Sequence, residues 1–162
     1  MVLVFFCRCR SQRIQAALIV PKAGNRTTWD DASSFCQQRG GNLPTISSSN
    51  MTNAVLAALP SGADVRLLYI GANDKMRENG FVWAFGYGWR YTNWNSISPL
   101  DLNRMWSFAT WVSFEPNDLH GGEDCVEMSA ANGWKWNDIP CGSADRLSGD
   151  DYVVCEDLVG EE

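Results

Sequence analysis

The sequence predicts an α+β domain, and three observations carry that prediction. Two segments of helical periodicity come first, short strand-like segments follow, and one long aperiodic tract interrupts the strands. A chain of 162 residues suits one domain, and its 8 Trp, 7 Phe and 4 Tyr supply ample material for a core.

Ala16 to Val20 reads as a short strand, ended by Pro21 and the Gly24-Asn25 turn signal. Residues 1–15 stand before the domain as a segment of uncertain status. Val2 to Phe6 is too short for the apolar core of a signal peptide, and Arg8, Arg10 and Arg13 follow it instead of preceding it. Ile14 to Val20 offers a weak apolar core after those arginines; a truncated or mispredicted start is the alternative. Thr28 to Asp31 then matches a capping box, with Trp29, Ala32, Phe35 and Cys36 at helical spacing and Gly40-Gly41 as the stop. Ser48 or Ser49 opens a second helix that carries Val55, Leu56 and Leu59 on one face, and Pro60 and Gly62 end it.

Leu67 to Ile70 and Phe81 to Phe85 read as strands, as do Cys125 to Met128, Trp134 to Trp136 and Tyr152 to Cys155. Between Gly86 and Gly122 the chain is rich in Gly, Asn, Ser and Trp with little periodicity, which marks a long loop that is either functional or disordered. The domain is therefore expected over 16–157, followed by an acidic tail at 158–162.

A formal net charge of −6, with no clustered Lys and Arg, argues against nucleic acid as a partner. No run approaches the roughly 18 apolar residues of a membrane span. The 6 Cys show no CxxC repeat and His120 is the single His, so a zinc framework is not expected. Disulfides are the better reading, which places the chain in a secreted or extracellular setting. The sequons at Asn25 and Asn50 are compatible with that.

Oxygen donors gather around the long loop. Glu115, Asn117 and Asp118 are followed by Glu123 and Asp124, and later by Asn137 and Asp138. Hard cations such as calcium take six to eight oxygen ligands, so this set suits calcium. Carboxylates would neutralise the ion, while the amides of Asn117 and Asn137 would offer oxygen to it and keep N–H donors for a ligand. A cis bond before Pro116 would aim Glu115 and Asn117 at one point. Asp74 and Glu78, four apart, suit a second ion. Solvated surface carboxylates are the competing reading.

Together these segments resemble the C-type lectin domain over roughly residues 16–157. Trp29-x6-Cys36 is similar to the family's first helix, and Tyr69-Ile70-Gly71-Ala72 to its WIGL segment, with Tyr for Trp and Ala for Leu. Tyr91-Thr-Asn-Trp94, Glu115-Pro116-Asn117, Gly122-Glu-Asp-Cys125 and Trp136-Asn-Asp-x-x-Cys141 complete the ordered set. The resemblance implies disulfides Cys36–Cys155 and Cys125–Cys141, leaving Cys7 and Cys9 over. It implies a principal calcium site of Glu115, Asn117, Glu123, Asn137 and Asp138. It also implies an auxiliary site of Asp74, Glu78, Asp118 and Asp124, with Glu123 shared.

In such lectins a vicinal pair of sugar hydroxyls coordinates the principal ion. The Glu-Pro-Asn form implies equatorial 3- and 4-hydroxyls, as in mannose, N-acetylglucosamine, glucose or fucose. Glycans are thus the expected partners, with oligomers supplying avidity.

One departure bears on the site. In the family's pattern the Trp of Tyr-x-Asn-Trp stands four positions before the Glu of Glu-Pro-Asn, whereas Trp94 stands 21 positions before Glu115. Residues 96–112 look like an insertion rich in apolar side chains, and Trp111 competes with Trp94 for the core position. A second insertion within 142–151 lengthens the last hairpin. If the first insertion disturbs the loop, the alternative is a C-type lectin-like module that binds protein or ice. A hydrolase using Glu115 and Glu123 is a third reading, opposed by the commitment of those carboxylates to a cation.

Overall fold

The computed structural model describes residues 4–9, 12–18, 27–84, 89–94, 115–119, 121–143 and 152–158, the first two stretches as backbone. In chain order the elements are β1 (Val4–Cys9), β2 (Gln12–Leu18), α1 (Trp29–Gln37), β3 (Gly41–Asn42) and α2 (Ser49–Ala57). They continue as β4 (Leu67–Asn73), β5 (Val82–Trp83), β6 (Cys125–Ser129), β7 (Lys135–Ile139) and β8 (Tyr152–Leu158). The strands form two antiparallel sheets, β1-β2-β8-β3 and β5-β4-β6-β7. Helices and antiparallel sheets segregate as an α+β fold requires.

Both helices start where their caps direct. Thr28 Oγ1 accepts from the Asp31 N–H at 3.0 Å while the Asp31 carboxylate accepts from the Thr28 N–H at 3.1 Å, a complete capping box. Ser48, not Ser49, caps α2 through the Met51 N–H. The buried face of α1 presents Trp29, Ala32 and Cys36, and Trp29 Nε1 donates to the Ile70 carbonyl at 2.8 Å. Helix and central sheet are thereby fixed to each other by a buried hydrogen bond as well as by area.

Several strands differ from the sequence expectation. The strand expected at 16–20 is observed as Gln12–Leu18, and a further strand lies at Val4–Cys9 within the segment left unassigned. Pairing of β2 with β8, from Gln12↔Leu158 to Leu18↔Tyr152, joins distant parts of the chain, which local periodicity does not reveal. The Phe81–Phe85 expectation reduces to Val82–Trp83 among the described residues. Trp134 has φ 62°, so it belongs to the turn and β7 begins at Lys135.

The core has two parts, one on each side of the central sheet. Ile46, Val55, Leu68, Ile70, Met128 and Trp136 fill one, and Trp29, Leu43, Tyr69, Ile139 and Val153 the other. Gly71 lets β4 pass close to the Leu43–Pro44 backbone, since a Cβ there would meet the Leu43 carbonyl oxygen at 2.6 Å. Trp94 packs edge-on against Trp136 with centroids 5.6 Å apart and against Phe81 at 4.9 Å, so it occupies the aromatic core position. Its competitor Trp111 and residues 96–112 lie outside the described residues.

Cys36–Cys155 and Cys125–Cys141 are bonded, the first tying α1 to β8 and the second the start of β6 to the end of β7. The side chains of Cys7 and Cys9 lie outside the described residues.

Candidate functional site

Residues 115–119 and 121–124 form a loop beside the ends of β6 and β7, and carboxylates organise it from within. The Glu115–Pro116 bond is cis, and Asn117 Nδ2 donates to Glu115 Oε2. Asp138, only 1% exposed, accepts from the Asn117 N–H at 3.0–3.1 Å and the Asp118 N–H at 2.8 Å. Asp118 has φ 43°, a conformation that Asp tolerates better than most residues. Its Oδ1 accepts from the N–H groups of Gly122 at 2.6 Å and Glu123 at 2.9 Å. Glu123, itself buried, accepts from the Leu119 N–H at 2.8 Å. Charge-assisted bonds of this kind are short and strong, and here they set the loop's path.

The end of β4 brings more negative charge. Asp74 is 2% exposed and its Oδ2 accepts from the Asn79 N–H at 2.8 Å, while its Oδ1 is buried without a hydrogen-bond partner. Burial pushes the Asp74 carboxyl above its usual range; the Asn79 bond opposes this, and the charges of Glu78, Asp124 and Asp138 add to it. The Asp74 N–H also donates to the Asp124 carbonyl at 3.0 Å, which ties β4 to the start of β6. Glu78 is exposed on the turn that follows.

The structure thus links Glu115, Asn117, Asp118, Glu123 and Asp138 through one hydrogen-bonded loop, and sets Glu78, Asp124 and Asp138 close enough for their charges to act on Asp74. Asn137 is placed differently. Adjacent strand residues point to opposite faces, so Asn137 leaves β7 opposite Asp138, and its Nδ2 donates to Glu127 Oε1 at 3.4 Å. Glu127 is 3% exposed and did not figure among the sequence candidates. Its position in the strand two residues after Cys125 was the available signal, a charge in an otherwise apolar run. His120 lies outside the described residues.

Whether this set suits a cation turns on what the carboxylates lack. Among the described residues no three acidic, His or Cys side chains converge on one point as they stand, and backbone amides occupy several of their oxygens. Two of the five expected principal ligands are Asn, whose oxygens are neutral. Asp74 nevertheless keeps an unsatisfied buried oxygen amid three like charges. A divalent cation would supply the missing partner, and an all-oxygen donor set would select a hard one. The residues fit calcium.

The Lectin C-type domain model matches residues 25–156. Collectin-11 of Bos taurus is 38% identical over 111 residues, which covers 68% of this chain and 34% of the relative. The chain therefore spans about a third of that curated relative's length. Human lithostathine superposes with a TM-score of 0.64 at 22% identity, covering 94% of this chain and 88% of that one. The carbohydrate-recognition domain of cow CD23, solved in the presence of a GlcNAc2Man3 oligosaccharide, gives 0.62 at 25% identity, with 94% and 92% covered. Lectin domains bind without turnover, which sets aside the hydrolase reading of Glu115 and Glu123. With the family model covering most of the sequence and the fold, disulfides and ordered motifs agreeing, this chain belongs to the C-type lectin domain family.

Proposed function

We propose that this domain binds glycans through calcium, with Glu115, Asn117, Glu123, Asn137 and Asp138 holding the principal ion. Asp74, Glu78, Asp118 and Asp124 hold an auxiliary one. The observation that carries this reading is the buried Asp74 carboxylate, on which burial and three neighbouring negative charges act together and one of whose oxygens has no donor. Calcium, when bound, supplies positive charge and open coordination positions for vicinal sugar hydroxyls. The chain's own residues orient the ligand. Asn117 is exposed at the loop surface, so its amide can reach a hydroxyl, while buried Glu115 offers an acceptor beside it.

The Glu-Pro-Asn order favours equatorial 3- and 4-hydroxyls, hence mannose, N-acetylglucosamine, glucose or fucose. Two disulfides fit an extracellular setting, and several sites together supply avidity for a monosaccharide that one site holds weakly.

Calcium titration followed by a glycan array, with and without chelator, tests the proposal. Mannose-type binding lost in chelator is expected; binding that survives chelation, or no sugar binding, overturns it. Glu115→Gln is expected to weaken or redirect sugar binding in a chain that remains folded.

A further inference from the structure

Glu127 stands in the middle of β6, paired with Tyr69 of β4 on one side and Asn137 of β7 on the other. The three residues make one cross-strand row on the face of the sheet that carries Cys125 and Ile139. A buried carboxylate in a central strand is costly unless something uses its charge. Tyr69 sends its hydroxyl elsewhere, donating to the Thr27 carbonyl at 3.0 Å. Asn137 Nδ2, by contrast, donates to Glu127 Oε1.

The chemistry of this contact is directional. An ionised carboxylate only accepts, so it can hold the NH₂ end of an amide and never the oxygen end. Turning the Asn137 amide over would set its oxygen against Glu127, so the pairing fixes which end faces where. With one N–H given to Glu127, the amide retains its oxygen for a cation and its second N–H for a ligand hydroxyl. We propose that Glu127 is a positioning residue that locks the Asn137 amide with its oxygen committed to calcium. This inference rests on the calcium reading above. Carboxylates that orient a metal ligand from behind commonly change metal affinity about 10–100-fold when removed.

A double-mutant cycle tests it on the full chain. Calcium affinity is measured by calorimetry for the parent, Glu127→Gln, Asn137→Ala and the double variant, with thermal unfolding in chelator as the folding control. Glu127→Gln is expected to weaken calcium binding by about 10-fold, because its amide can donate to Asn137 and favour the wrong orientation. In the Asn137→Ala background the same change is expected to matter less than about twofold. An equal loss in both backgrounds would mean that Glu127 acts by charge alone and overturns the proposal, as does no loss in either.

Glu127→Asp keeps the charge and withdraws the oxygen by one methylene, so a severalfold loss there is also expected. It carries the test if the Gln variant does not fold, and an unchanged affinity then overturns the idea. A parent that binds no calcium overturns the underlying function, whereas a parent that binds it equally with and without Glu127 overturns only this inference.

Discussion

Two buried carboxylates, Glu156 and Asp74, occupy comparable depths at opposite purposes. Glu156 on β8 is 1% exposed and Asp74 at the end of β4 is 2% exposed. Burial raises the pKa of each. Their surroundings then diverge. Glu156 meets neutral donors: the Thr45 N–H at 2.9 Å and the Thr45 hydroxyl at 2.7 Å, bonds that oppose the rise. Asp74 has one backbone donor and three negative neighbours, Glu78, Asp124 and Asp138. The first carboxylate is satisfied by the fold that surrounds it and serves as an anchor between β8 and the segment after β3. The second keeps one oxygen without a donor, so a proton or a cation would relieve it. Burial alone therefore leaves the two acids alike; the sign of the neighbouring charge separates them.

The largest expected effect lies in the region around Glu156. Replacing Cys36 and Cys155 together by Ala opens a loop with a sequence separation of 119 and should cost about 4–5 kcal/mol on the chain-entropy model. The same change at Cys125 and Cys141, separation 16, should cost about 3 kcal/mol. Denaturant unfolding of the two variants gives the ranking. Glu156→Ala comes next: it strands the Thr45 N–H and hydroxyl and should lose about 2–4 kcal/mol by the same measurement.

Asp74→Asn should separate the two regions most clearly. In chelator it relieves repulsion and leaves stability unchanged or higher. Added calcium, which should stabilise the parent by about 2.7 kcal/mol at a hundredfold excess over Kd, should stabilise the variant much less. If calcium raises the melting temperature of both alike, Asp74 is not a ligand. Glu156→Gln makes the converse case. It keeps an acceptor and a donor for Thr45, so at pH 7.5 it should gain up to about 1 kcal/mol while the calcium response persists.

The pH dependence has a definite sign. A carboxyl whose folded pKa is raised adds stability fully present below its unfolded value, near 4.5, and loses it as pH rises through the folded value. The Gln variant in chelator should therefore show a flatter stability profile above pH 4.5 than the parent. An unaltered slope would remove Glu156 from the account.

Lys75→Met should have the smallest effect. It deletes an exposed ion pair with Asp30 and the cation–π contact over Trp29 at 4.5 Å, and should cost less than about 1 kcal/mol with calcium affinity unchanged.

Local signals were enough for both helices, because a cap and a 3.6-residue stripe are properties of a short stretch. Thr28–Asp31 and Ser48 behave as their residues dictate. Cys125–Ser129 and Lys135–Ile139 each start within a residue of where their apolar runs and turns indicate, and the second runs three residues further than expected. The two N-terminal strands were not legible in the same way. β1 pairs with β2, and β2 with β8, more than a hundred residues away; neither has a clean alternation of its own.

The oxygen donors around the loop were also visible in the sequence as a set of residue types, and the ordered motifs named the family before any coordinate did. Only the tertiary structure decided how those donors stand. It put Asp138 under the Asn117–Asp118 backbone and turned Asn137 toward Glu127, because neighbours on a strand must part to opposite faces. It made Trp94 the core aromatic by packing it on Trp136. It also made Asp74 and Glu156 different residues, since charge at a distance depends on which strands pair and not on sequence spacing.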